Sequence, residues 1–179
     1  MPSTDLIQLI KRHEGEVKNI RGRHVLYDDK NGKAVTIGGS LKGLPTVGFG
    51  RNLAARPLTS EEEDLILRDA LGTTNVESRD IVIADILTGI GLSDNLAEQF
   101  LIQDIKETTD LLKNELPEFA QLNTARKNAL IDLAFAVGVD GVVNPTTGFK
   151  SMIQAIKDGN FTKAGDEIIN SKFARLTGS

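Results

Sequence analysis

The sequence predicts an α+β fold in which a small β-containing lobe is joined by a long helix to a helical lobe. Short β-branched and aromatic runs separated by glycines crowd residues 21–49, whereas every apolar pattern after Pro57 has helical spacing. One of those helical patterns, opening at Ser93, runs for about twenty residues, or ~30 Å, long enough to connect two lobes. The expected organisation is residues 1–92 for the first helix, the β-containing lobe and the helices that follow it. Residues 93–113 form the connecting helix and 114–179 the helical lobe, on which the first helix, residues 3–13, is able to pack.

The elements follow in order. Ser3 precedes a segment with Leu6, Ile7 and Ile10 at helical spacing, acid early and base late, as the helix dipole prefers, and Gly15 stops it. Val25-Leu26-Tyr27, residues 34–37 and residues 46–49 read as strands of an antiparallel hairpin sheet, divided by Lys30-Asn31-Gly32 and Gly38-Gly39. Thr59-Ser60-Glu61-Glu62 has the N-cap and early acids of a helix ending at Leu71, before Gly72. A second runs from Ser78 to Leu87. The connecting helix carries Leu96, Phe100, Leu101, Ile105, Thr108 and Leu112 on one stripe to Lys113. Pro117 opens a short turn, Asn123 begins the most apolar helix, which Gly138 stops, and two more cover residues 147–157 and 161–170.

Composition restricts the chemistry. With no cysteine, disulfides, thiolate catalysis and cysteine-bound zinc are excluded, and two histidines, His13 and His24, argue against a histidine-rich metal site. No run approaches the ~20 apolar residues of a membrane span, and Met-Pro-Ser-Thr-Asp does not resemble a signal peptide, so synthesis in a cytosol is expected. Residues 1–51 carry nine Lys and Arg against five Asp and Glu, a net +4, while the remainder holds −8 of the total of −4. A basic first segment on an acidic body suits an anionic partner.

Carboxylates are then the groups to examine. Glu14 falls in the last turn of the first helix, where unpaired carbonyls disfavour ionisation, and a carboxylic acid that keeps its proton can donate it to a glycosidic oxygen. Asp28 and Asp29 precede the Lys30-Asn31-Gly32 turn, and either can organise that turn through backbone hydrogen bonds or supply a second carboxylate to a glycosidase pair.

The ordered set His13-Glu14-Gly15, Leu26-Tyr27-Asp28-Asp29-Lys30-Asn31-Gly32 and Pro45-Thr46-Val47-Gly48-Phe49-Gly50-Arg51 resembles the signature of the phage-type (T-even) lysozymes, glycoside hydrolase family 24. The likeness continues from Ser93 to Asp104 and from Asn123 through Gly138 to Phe173. It implies a lysozyme-like fold and an endolysin-like muramidase that cleaves the β-1,4 bond between N-acetylmuramic acid and N-acetylglucosamine with inversion. By that resemblance Glu14 corresponds to the general acid, Asp29 to the second carboxylate and Thr46 to the threonine that positions the attacking water. Tyr27, Phe49 and Phe135 are the residues expected to bind the glycan. No metal and no organic cofactor are implied.

Expected partners are peptidoglycan glycan strands and, for export from the host bacterial cytoplasm, a holin; delivery within a virion is the other route to the wall. Nucleic-acid binding and stable membrane insertion are not expected, and a monomer is. A non-catalytic wall-binding or virion structural protein of lysozyme fold, or a hydrolase of another amino-sugar polymer such as chitosan, are the alternatives.

The sequence departs from the family pattern in places. Fourteen residues lie between Glu14 and Asp29 and sixteen between Asp29 and Thr46, so the β region is enlarged. Thr36 lies nearer the family's offset from Asp29, but Gly48-Phe49-Gly50 follows Thr46 in register. Arg51 stands where some relatives have histidine. The chain closes soon after Phe173, which implies either a shortened chain or a C-terminal lobe that closes differently. Residues 30–45 hold Lys30, Lys33 and Lys42 and no acid, and read as a basic flap for capturing an anionic glycan.

Overall fold

The computed structural model describes residues 1–169. It is of mixed α+β class, a small four-stranded antiparallel sheet with helices making up most of the rest of the described residues. The expectations past the end of α8, Asn170 in the last helix and Phe173 in the family pattern, lie outside the described residues.

The chain divides into two compact units, one comprising residues 14–103 and the other residues 1–13 with the chain from Asp104 on. In the first lie β1 (Tyr27–Asp28), β2 (Lys33–Ala34), β3 (Pro45–Val47) and β4 (Arg51–Asn52), in the order β2-β1-β3-β4. Tyr27 pairs with Ala34 on one side and Thr46 on the other, and Val47 pairs with Arg51. Strands of two or three residues cannot stand alone. Their support is an apolar cluster of Val47 with Ile66, Leu67, Ile83, Ile86, Leu87, Leu92, Leu96 and Phe100, drawn from β3 and the helices that follow.

Of those helices, α2 (Ser60–Leu71) opens with a full capping box: Thr59 Oγ1 accepts from the Glu62 N–H at 3.2 Å, and Glu62 accepts from the Thr59 N–H at 3.0 Å. Helix α3 (Arg79–Asp85) passes into a π-turn over Ile86–Ile90. Ser78 stands at its N-cap with φ of 53°, yet its side chain makes no capping bond. Helix α4 (Asp94–Glu115) begins in this unit, with Ser93 Oγ accepting from the Leu96 N–H.

The other unit holds most of α1 (Thr4–Glu14), the rest of α4 and the C-terminal helices. After a 3-10 turn over Pro117–Gln121, Asn123 caps α5 (Thr124–Val137) by accepting from the Arg126 N–H at 2.9 Å. Gly138, at φ 83°, ends α5, and a five-residue helix, α6 (Val139–Val143), follows at once. Then come α7 (Lys150–Lys157) and α8 (Phe161–Ile169). Buried Leu6, Ile7 and Ile10 of α1 are the apolar face read from its spacing.

Four sequence readings of the elements are corrected, the first being the strand expected at Val25-Leu26-Tyr27, which is Tyr27–Asp28. The strand expected at residues 34–37 is only Lys33–Ala34, with Thr36 and Ile37 exposed in a loop, because the long segment to Pro45 turns away from the sheet instead of continuing it. The strand expected at residues 46–49 ends at Val47, since Gly48, at φ 65°, begins a turn whose far side forms β4. Residues 147–149 precede α7, because Gly148 is packed against the Val142 and Asn144 backbone.

Candidate functional site

Glu14 is the last residue of α1 and is partly buried. Its carboxylate lies against Gly50, where an added Cβ would come within 2.7 Å of Oε2 and 3.0 Å of Cδ. Gly50 also has φ of 89°, so the turn between β3 and β4 needs glycine there on two grounds: backbone conformation and the carboxylate at its face.

The hairpin strands supply the other groups. Tyr27 and Thr46 are direct neighbours across β1 and β3, and both are buried. The Tyr27 phenol is pushed up to about 12, first by burial and then by the charges of Glu14 and Asp29. Both carboxylates therefore act on one ring, which stays a neutral phenol across any ordinary assay pH.

Asp29 lies one residue beyond β1, exposed, at the start of the turn. Its Oδ1 accepts from the Leu44 N–H at 2.7 Å, and its own N–H donates to the Leu44 carbonyl at 3.1 Å. That same carbonyl accepts the Thr46 hydroxyl at 3.2 Å. One peptide unit thus ties Asp29 and Thr46 together, and the hydroxyl, having spent its proton on Leu44, keeps its lone pairs for a donor such as water.

Asp28 has a different task. It is 4% exposed, with Oδ2 accepting from the Lys42 N–H at 2.6 Å and Oδ1 from the Lys30 N–H at 2.9 Å. The Lys42 N–H, followed by those of Lys30, Gly43 and Asn31, holds its carboxyl below the usual range against the effect of burial. Asp28 thereby clamps both ends of the long loop that the basic flap occupies. Gly43 closes the clamp: a Cβ there would run into the Asp29 carboxylate and come within 2.8 Å of Asp28 Oδ1. Nothing in the sequence around Gly43 announces this, since the two carboxylates reach it from well before it in the chain.

The aspartates can be separated by experiment. Asparagine at position 29 retains an oxygen for the Leu44 N–H, so Asp29→Asn is expected to keep the wild-type thermal midpoint. Asparagine at position 28 turns an NH₂ toward a backbone N–H, so Asp28→Asn is expected to lower the midpoint through the loop. Equal midpoints for the two variants would contradict the clamp. As Asp28 is held below its ordinary value, its stabilising effect is present above the unfolded carboxylate range and is lost as pH falls through its folded value.

The other two sequence-predicted residues lie on different elements. The Phe49 ring meets the buried His24 ring edge-on, centroids 4.9 Å apart, and is 9% exposed, so it serves the packing of the turn. Phe135 belongs to the other unit, half-buried on α5. Thr36, the alternative threonine, is exposed and unpaired with the sheet, whereas Thr46 is 4% exposed and opposite Tyr27.

Arg51 extends the site backwards. Its guanidinium, 5% exposed, donates to Glu62 through Nη1 and Nη2, each at 2.8 Å, and to the Arg56 and Pro57 carbonyls through Nε and Nη2. Burial acts to raise the Glu62 carboxyl, but the Arg51 and Thr59 hydrogen bonds outweigh it and hold it below its ordinary value. The residue after Gly50 is thereby locked to the first turn of α2. Among the described residues, Glu16, His24 and Asp94 form the group whose donor atoms converge as a metal would require. No protein-family model matches the chain, and no curated protein matches it either.

Proposed function

We propose that the chain is a lysozyme-like muramidase, an inverting glycoside hydrolase acting on the β-1,4 bond between N-acetylmuramic acid and N-acetylglucosamine in peptidoglycan. The observation that carries this reading is that two carboxylates of unlike setting both act on Tyr27 of β1, whose partner on β3 is Thr46. Glu14, at the end of a helix, is backed by Gly50, while Asp29 is exposed and shares the Leu44 peptide with Thr46. Glu14 protonates the leaving glycosidic oxygen as its bond to the anomeric carbon breaks. A water held by Asp29 and Thr46 attacks that carbon from the opposite face, and its proton passes to Asp29.

An inverting pair is ordinarily ~6.5–9.5 Å apart, with the water between the carboxyl groups. The exposure of Asp29 and the free lone pairs of Thr46 suit that arrangement. The basic loop over residues 30–45, anchored by Asp28, adds positive charge next to the two acids, which favours an anionic polymer.

The test is digestion of purified peptidoglycan with product analysis by mass spectrometry and by NMR of the new anomeric proton. Muropeptides ending in reducing N-acetylmuramic acid, formed first as the α anomer, are the expected products. Ends in N-acetylglucosamine, a β anomer, or release from chitosan alone would each overturn the reading. Binding to the wall without any released fragment would assign the chain to the non-catalytic class.

A further inference from the structure

We propose that Glu16, His24 and Asp94 form a binding site for one divalent transition-metal ion of the zinc class, separate from the carboxylate pair and independent of the proposed hydrolysis. His24 is fully buried and directs Nε2 at Asp94 Oδ1, 2.6 Å away, and at Glu16 Oε2, 3.8 Å away. The three donor atoms all lie within 4.8 Å of one another. Lys18 supplies a second, independent sign that this spot takes a cation. Its ammonium lies 3.1 Å from the same Asp94 oxygen and 3.4 Å from Glu16.

Zinc bonds of ~2.0–2.2 Å in a tetrahedral site set donors ~3.3–3.6 Å apart. The imidazole and Asp94 must therefore separate by ~0.8 Å and the imidazole and Glu16 close by ~0.3 Å, adjustments within reach of two carboxylates at the surface. One imidazole with two carboxylates suits zinc, cobalt or nickel and not the all-oxygen preference of magnesium. Three protein ligands leave a position for water, and the exposed Glu16 and Asp94 give the ion its way in.

Coordination needs the Nε2 lone pair, so a proton held there toward Asp94 passes to Nδ1, and the Lys18 ammonium is displaced. His24 Nδ1 is buried with no hydrogen-bond partner, so the ring lacks the second-shell acceptor that usually strengthens a metal ligand. Affinity should accordingly be about 10–100-fold below that of a site whose imidazole has such an acceptor. The ion would pin the segment between Glu14 and Tyr27 to the start of α4, on a backbone already bridged there by His24 and Leu92.

Titration of the full-length chain, stripped with a chelator, with zinc chloride in a calorimeter tests this, with thermal denaturation alongside. The expected result is one saturable site and a midpoint that rises with zinc but not with magnesium. The surface double variant Glu16→Gln/Asp94→Asn should weaken binding at least tenfold, whereas Lys18→Met, which removes the competing ammonium, should tighten it severalfold. His13→Gln, at the chain's other histidine, should bind as wild type. No saturation below 1 mM zinc, binding that survives the double variant, unchanged affinity in Lys18→Met, or loss in His13→Gln would each overturn the site. Because the readouts are binding and stability, failure here leaves the hydrolase reading untouched, and absence of hydrolysis leaves the metal site untouched.

Discussion

Replacing Glu14 by glutamine is expected to lower turnover on peptidoglycan by about 10²–10⁴, the range in which a general acid contributes. The amide has the shape of the carboxyl and fills the same space against Gly50, so the turn behind it should hold. It has no proton of suitable acidity to give to the leaving oxygen. The loss should therefore fall on kcat, with little change in KM and none in thermal midpoint. Turnover within a few-fold of wild type at an unchanged midpoint would remove Glu14 from the mechanism, and with it the hydrolytic reading. A mechanically similar perturbation comes from behind: Gly50→Ala brings a methyl group into the carboxylate and strains a backbone at φ 89°, so it should lower both kcat and stability.

What was legible in the sequence depended on whether its cause was local. The capping box of α2 and the Asn123 cap of α5 are short-range hydrogen bonds written in consecutive residues, and both read directly. The end of α1 at Glu14 is of the same kind, because Gly15, at φ 71°, takes a conformation that ends a helix cheaply. Strand β4 was not legible, since Arg51–Asn52 is too short for any alternation and pairs only because the Gly48-Phe49-Gly50 turn brings it back on Val47. Helix α6 was hidden by its own brevity and an internal Gly141.

The site shows the same division. Order along the chain names Glu14, Tyr27, Asp29 and Thr46 as candidates and Asp29 over Asp28 as the second carboxylate, but not the loop that Asp28 anchors. Alternation along a strand sets Asp28 and Asp29 on opposite faces, whereas Asp29 stands past the last strand residue and Asp28 is turned inward to a loop that returns fourteen residues later at Lys42. Charge counting gave the basic flap and missed that a buried acid anchors it. Likewise Arg51 read as a departure in a motif, when its meaning lies in Glu62, eleven residues on.

That pair carries the second large effect. Arg51→Met is expected to destabilise the unit of residues 14–103 by about 3 kcal/mol, the lower end for stranding one member of a buried ion pair, because Glu62 keeps some access to water. For a chain of this size that is a fall in midpoint of roughly 6–12 °C. Methionine preserves much of the apolar stem beside Phe100, whose ring centroid lies 5.8 Å from the guanidinium carbon, so the loss reports the charge and its hydrogen bonds more than packing. Adding Glu62→Gln should recover part of the loss, since the buried charge goes with its partner, and the two changes should be far from additive. The pH dependence has a definite sign. In the wild type the Glu62 carboxyl is held below its ordinary 4.5, so its contribution is complete above that value and is lost as pH falls through the folded one. In Arg51→Met only the Thr59 hydrogen bonds are left to oppose burial, so the carboxyl rises relative to the wild type, acid costs the variant less than the wild type, and the gap between their midpoints should narrow from pH 7 to pH 4. A gap that stays constant with pH, or additive losses in the double variant, would show that Arg51 acts through its contacts with the Arg56 and Pro57 carbonyls alone.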